Sequence, residues 1–241
     1  MRQAFGALLA TGVLLHSGSA LRAAEPGTQP SCVDDAMLVF DASGSMAATD
    51  FPDGATSRMD RVRQALAKVL PAAARGRRLG LLVYGPGRHF DTCRNIDLRL
   101  APTPNAGARI MEEVDGIQPQ GRTALTSSVQ LAVALLSQGR KPAVVVALTD
   151  GQDTCGGDAC AFARTLKAEN PSITVHVIGY RLRPMTAAVD PPFVERCLAD
   201  ETGGIFATAE TTEQLSDALA ETLGCPAVTL LAPRPRALTV R

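Results

Sequence analysis

Ala36-Met37-Leu38-Val39-Phe40-Asp41-Ala42-Ser43-Gly44-Ser45-Met46 is the stretch that decides the fold. Five apolar residues in a row, closed by a polar Gly/Ser turn, read as a strand buried on both faces. Its polar residues then stand at the strand's C-terminal end, where open parallel α/β sheets collect their ligand sites. Asp41, Ser43 and Ser45 alternate there as short oxygen-bearing side chains. None of them is a strong base at neutral pH. Together they suit a small hard cation, which takes oxygen ligands.

The same pattern repeats outward. Leu79 to Tyr84 and Ala143 to Thr149 are further apolar runs, the second closing on Asp150-Gly151, and Ile173 to Tyr180 is another. Ile96, Leu98 and Leu100 alternate with polar neighbours, which predicts a half-exposed edge strand. Its link to the preceding strand is short and carries no helix, so the pair is expected to be antiparallel. Gly204 to Thr208 is a short sixth strand. Helical spacing fills the intervals: about 57–74 with Met59, Val62, Leu66 and Val69 inward, 106–115, a helix from Thr123 with Leu125, Val129, Ala132, Val133 and Leu136 inward, 158–168, and 192–202. Thr211 and Gln214 stand at capping-box spacing before a last helix, whose Leu215, Leu219 and Leu223 face inward. The alternation predicts an α/β, Rossmann-like doubly wound sheet of six strands, mostly parallel with one antiparallel edge strand and helices on both faces.

The 241 residues carry no net formal charge, which gives no reason to expect nucleic acid or an anionic membrane as partner. Trp is absent and aromatics are few, so the core must be aliphatic. Arg2, the apolar run Ala4 to Leu15 and the small residues Gly18-Ser19-Ala20 and Ala23 read as an exported chain's signal peptide over 1–23. The run is too short to span a bilayer. Residues 24–32 read as a flexible arm, 33–225 as the folded domain and 226–241 as a C-terminal tail. Export in a bacterial style places the protein in the periplasm, at the cell surface or outside the cell. The even count of six cysteines then predicts disulfides.

Thr123 and Asp150 are predicted at the same edge of the sheet as Asp41, Ser43 and Ser45, because parallel strands share their C-terminal side. Here the chain resembles the von Willebrand factor type A domain family and its metal-ion-dependent adhesion site. That site has the pattern Asp-x-Ser-x-Ser, then a Thr, then an Asp closing an apolar strand. Asp41, Ser43, Ser45, Thr123 and Asp150 match it in order, and the resemblance covers roughly residues 33–224. Family members often have Pro after the Thr, where this chain has Ala124. The resemblance implies Mg²⁺, with Mn²⁺ as the alternative. Ser43 and Ser45 would bind the ion directly, Asp41 and Asp150 often through waters, and Thr123 either way. It also implies a protein-binding module without enzymatic activity, whose partner completes the metal shell with an Asp or Glu carboxylate.

Two other readings of the same residues compete with that one. Asp41 could serve a phosphohydrolase-like enzyme, but such an enzyme wants a second Asp where this chain has Ser43, and a Ser43 nucleophile would need a His or Lys base that the sequence does not place. The metal could also be purely structural. For the cysteines, the expected pairs are Cys32–Cys225 at the bottom of the sheet, Cys160–Cys197 between two helix starts on one face, and Cys93–Cys155 beside the metal. A local Cys155–Cys160 bond with Cys93–Cys197 is the rival. Asp50, Asp53 and Asp60 read as a solvated loop rather than a second cation site, and Asp158 reads as a helix N-cap with Asp153 near it. His89 reads as a polar-loop residue, with a rim contact as the lesser alternative, His176 as a satisfied core or interface residue, and Arg75, Arg77 and Arg78 as an exposed helix end.

Overall fold

The computed structural model describes residues 35–52, 54–139, 141–182 and 193–225. The expected signal peptide, the arm, the tail and Cys32 lie outside the described residues, and so does Asp53.

β1 (Asp35–Asp41) is the decisive apolar run, and it lies inside the sheet. β2 (Leu79–Tyr84) pairs with it in parallel on one side and β4 (Ala143–Thr149) on the other. β5 (Ile173–Tyr180) and β6 (Phe206–Ala209) extend the parallel array beyond β4. β3 (Ile96–Thr103) closes the opposite edge antiparallel to β2. The order is β3-β2-β1-β4-β5-β6, six strands with one antiparallel edge. Every residue of β2 and β4 is buried, as runs covered on both faces require, whereas β3 exposes its polar positions.

The alternation of β1 side chains sorts the two cores. Ala36, Leu38 and Phe40 pack under α1 (Arg58–Gly76), α2 (Gly107–Asp115) and α6 (Thr212–Leu223). Met37 and Val39 face α3 (Leu125–Ser137), α4 (Ala159–Glu169) and α5 (Cys197–Thr202). α1 and α6 both open on capping boxes, Ser57 with Asp60 and Thr211 with Gln214. Asp158 caps α4 by accepting from the Ala161 N–H.

Several sequence expectations shift in detail. The helix expected from Thr123 starts at Leu125, which leaves Thr123 in the loop at the sheet's edge. The helix expected over 192–202 is a 3-10 turn at Val194–Arg196 running into α5. Asp60 belongs to the α1 capping box instead of a solvated loop. Arg77 is buried, not part of an exposed helix end, because the chain turns at the end of α1 straight into β2.

The strand numbering reverses direction at β1, whose flanks are β2 and β4, so the crevice between β1 and β4 is the topological switch point of the sheet. Three backbone segments meet above it with no room for side chains. Gly85 follows β2 with φ +110°, and a Cβ there would meet the Ala42 and Gln120 carbonyls at 2.7 Å. Gly121 has φ +81°, and its Cβ would fall 2.3 Å from the Gly85 oxygen. The Gln120 N–H donates to the Ala42 carbonyl at 2.9 Å, and the Gly44 N–H to the Gly121 carbonyl at 3.1 Å. Gly85→Ala should therefore combine left-handed strain with a backbone clash and lower stability by about 2 kcal/mol or more, read as a fall in the urea midpoint with an unchanged m-value.

Candidate functional site

Asp41 ends β1 and Asp150 follows β4, so the two acids face each other across the switch point. Both are buried, Asp41 at 0 % and Asp150 at 4 % exposure. Their oxygens are largely committed to protein donors. Asp41 Oδ1 accepts from the Ser43 N–H at 2.8 Å. Asp41 Oδ2 accepts from the Thr149 hydroxyl at 2.8 Å and from the Asp150 N–H at 3.3 Å. Asp150 Oδ1 accepts from the Ser45 hydroxyl at 2.6 Å, and Oδ2 accepts from Arg58 Nη1 at 3.0 Å.

Ser43 and Ser45 come to the same place because the chain after β1 enters a 3-10 turn, Gly44–Ala47, as soon as the strand ends. That turn sets the two hydroxyls 3.1 Å apart. Thr123 arrives from the loop before α3. Its N–H donates to the Thr154 hydroxyl at 2.9 Å, and the Thr154 N–H returns a bond to the Thr123 carbonyl at 2.9 Å. Ser45, Thr123, Asp150 and Arg58 all line one cavity of about 800 Å³, whose far wall is Leu182, Phe193 and Phe206. Thus hydrogen bonds join Asp41, Ser43, Ser45 and Asp150, and Thr123 shares the cavity wall with Ser45 and Asp150.

Two disulfides brace the surroundings. Cys93–Cys155, with Cα atoms 5.6 Å apart, ties the loop before β3 to the loop after β4. Cys160–Cys197 joins α4 to the start of α5. The expected Cys32–Cys225 pair lies outside the described residues, since Cys32 is not among them. Asp153 organises the loop after β4: Oδ1 accepts from the Cys155 and Gly156 N–H groups, and Oδ2 accepts from the Thr126 N–H. The Asp153 N–H itself donates to the buried Glu195 carboxylate at 2.7 Å. His176 lies in β5, where its Nδ1 accepts from the Ile205 N–H, and burial lowers its pKa. His89 is fixed by its N–H to Asn95 Oδ1 at 3.0 Å in the loop after β2.

Sequence reasoning missed Arg58 and gave Asp50 no role. Asp50 is not a free loop carboxylate. It pairs with Arg58 and, at 3.6 Å, with Arg181, and the hydrogen bond from Arg58 holds its carboxyl below the usual range. A signal for Arg58 did exist. An Arg as the first residue of a helix sits at the positive end of the dipole and calls for an acid nearby.

The electrostatics of the pair follow from burial. Desolvation pushes the Asp150 carboxyl up to about 6, with the Asp41 charge adding to the rise and Ser45 and Arg58 opposing it. The donor set is therefore three hydroxyls around two acids. Among the described residues no cluster of three or more His, Cys, Asp or Glu is placed to hold a metal. Neutral hydroxyl oxygen with two flanking carboxylates fits a hard cation such as Mg²⁺, and not a thiolate- or imidazole-seeking metal.

Residues 36–152 match the sequence profile of the von Willebrand factor type A domain. The chain is 28% identical over 189 residues to the uncharacterized protein YwmC of Bacillus subtilis, an alignment covering 75% of this chain and 81% of that one. In structure it is similar to an aerotolerance-related membrane protein of Bacteroides fragilis, with TM-score 0.57, 20% identity, and 79% of this chain and 98% of that chain covered. It is also similar to the pilus adhesin SpaC of Lactobacillus rhamnosus, with TM-score 0.57 and 18% identity, over 82% of this chain and 30% of that one. No helix among the described residues is long and apolar enough to cross a membrane.

A raised carboxyl pKa gives the metal-free protein a penalty with a definite sign. Folding favours the protonated Asp150, so the contribution is present below the unfolded value of 3.8 and is lost as pH rises through about 6. At pH 7 the cost is about 3 kcal/mol at most. Asp150→Asn should remove it, so in chelator the variant should gain stability relative to the parent between pH 4 and pH 7, as thermal unfolding at the two pH values would show.

Proposed function

Because this chain carries a von Willebrand factor type A domain, we propose that it is a divalent-cation-dependent protein-binding module that holds Mg²⁺ at Asp41, Ser43, Ser45, Thr123 and Asp150 and takes an acidic side chain of a partner protein. The observation that carries the reading is the hydrogen-bonded chain Ser43–Ser45–Asp150 beside the buried Asp41, at the switch point of the sheet.

In this reading the Ser43 and Ser45 hydroxyls are the direct ligands. Asp41 and Asp150 orient them and hold waters, and Thr123 closes the set from its loop. The support is local: Asp41 and Asp150 accept from backbone N–H groups, hydroxyls and a guanidinium, which favours reading them as orienting groups. When bound, the ion supplies an electrophilic position for an anionic oxygen, because its ligands are mostly neutral. A partner's Asp or Glu carboxylate is the protein group that gains most there.

Residues around the site would set which partner fits. The loops at 120–124 and 151–158 line its cavity and are hydrogen-bonded to each other through Thr123 and Thr154, and the loop at 86–92 is the third expected to contribute. A binding role also accords with the hydroxyl partners. Ser43 and Ser45 share a hydrogen bond, and Ser45 donates to Asp150, with no imidazole or amine among these partners to act as a base. Similarity in fold to a pilus adhesin adds support for an adhesive role. The two disulfides suit an oxidising compartment, so we place the protein in the periplasm, at the cell surface or outside the cell.

Ser43→Ala is the cleanest variant, since Asp41→Ala would also strand the Ser43, Thr149 and Asp150 donors in a buried place. Calorimetry should show Mg²⁺ binding to the parent and a loss of about tenfold or more in Ser43→Ala, with an unchanged circular dichroism spectrum. A partner retained from envelope extract in Mg²⁺ should be released by chelator and ignored by Ser43→Ala. Retention that survives both would place recognition on another face of the domain.

A further inference from the structure

Arg58 is not among the five residues that hold the metal in this reading, yet it stands against one of them. It is the first residue of α1, where the helix dipole disfavours a cation, and it is buried to 6 % exposure. Two carboxylates keep it there. Nη1 donates to Asp150 Oδ2 at 3.0 Å, and that acid's side chain is itself fully buried. Nε lies 3.2 Å from both oxygens of Asp50, and Nη2 also donates to Asp50.

The Asp50 end of this bridge is anchored as well. Arg181 donates to the Asp50 carbonyl at 3.0 Å. The neighbouring Phe51 ring stacks on Tyr180 and lies under the guanidinium groups of Arg61 and Arg181, at 5.0 and 4.8 Å. Arg58 is therefore a fixed charge with a built seat, not a surface side chain that swings in by chance. It lines the same cavity as Ser45, Thr123 and Asp150.

We propose that Arg58 is a resident cation of the site: it neutralises Asp150 in the metal-free protein, competes with Mg²⁺ for that carboxylate, and so lowers metal affinity while keeping the empty site folded. The inference rests on the Mg²⁺ reading above. Two buried acids side by side repel each other, and a guanidinium on one of them relieves that repulsion. A divalent ion drawn to the same acids must then approach a like charge that cannot leave by deprotonating. Metal entry weakens or displaces the Arg58–Asp150 bond, and metal loss restores it. The domain should therefore fold without metal, unlike small metal-dependent modules.

The test is titration of the full chain with MgCl₂ and MnCl₂ at constant ionic strength, by calorimetry, for the parent, Arg58→Gln and Arg58→Lys. Arg58→Gln should bind Mg²⁺ about three- to tenfold tighter, and its chelated form should melt at a lower temperature than the parent's. Arg58→Lys keeps the charge and should stay within about twofold of the parent. If the parent binds Mg²⁺ and a folded Arg58→Gln binds it no tighter, the inference is overturned and the metal reading stands. If neither the parent nor Arg58→Gln binds either ion, the metal reading falls and the inference with it. Should Arg58→Gln not fold, side-chain nitrogen spectra of the parent decide: the Arg58 Nη signals should shift on saturation with Mg²⁺, and signals that stay in place would overturn the proposal.

Discussion

Asp41 and Asp150 are buried side by side at the ends of two adjacent parallel strands, and the edge of the sheet is built to hold that charge. Each hydroxyl, N–H and guanidinium that reaches them offsets desolvation that would otherwise keep a carboxyl protonated. This explains why the neighbouring segments are so constrained. The Gly44–Ala47 turn has to deliver Ser45 to Asp150, and Thr149 has to turn its hydroxyl across to Asp41. Gly85 and Gly121 must be glycines for the backbones above to close on one another. A site whose protein donors already satisfy its acids can present neutral oxygen outward.

Much of this was legible in the chain itself. Runs such as Leu79 to Tyr84 and Ala143 to Thr149 are apolar at every position because both sheet faces are covered, so their strand character needed no partner to be recognised. The alternation of Ile96, Leu98 and Leu100 marked a half-exposed edge strand, although of the three only Leu100 is fully buried and Leu98 is exposed. Strand polarity then did the rest. Once β1 and β4 are parallel neighbours, Asp41 and Asp150 must emerge at the same edge, 109 residues apart in sequence. The loop before α3 brings Thr123 to that edge by the same logic.

What the sequence did not show depends on side-chain reach. Arg58 and Asp150 are 92 residues apart, and no periodicity links a helix-opening Arg to a strand-ending Asp. Asp50 looked like loop solvation because its partners, Arg58 and Arg181, come from α1 and from the residue after β5. Arg77 was misread for a different reason. Basic residues at a helix C-terminus are usually solvated, but here the chain passes from α1 into a buried strand within two residues, and Arg77 is carried inside. Local rules describe the element correctly and miss the turn that follows it.

The two edges of the sheet bear on how the molecule behaves among copies of itself. β3 carries Asp97 and Arg99 on its exposed positions and Pro102 near its end, which has no N–H to offer a neighbouring strand. β6, at the far edge, is only four residues long. A row of open backbone groups is a template for edge-to-edge stacking and fibre growth, and neither margin offers a long apolar one. Among the described residues, then, neither strand margin of the sheet is suited to pairing with the backbone of another copy.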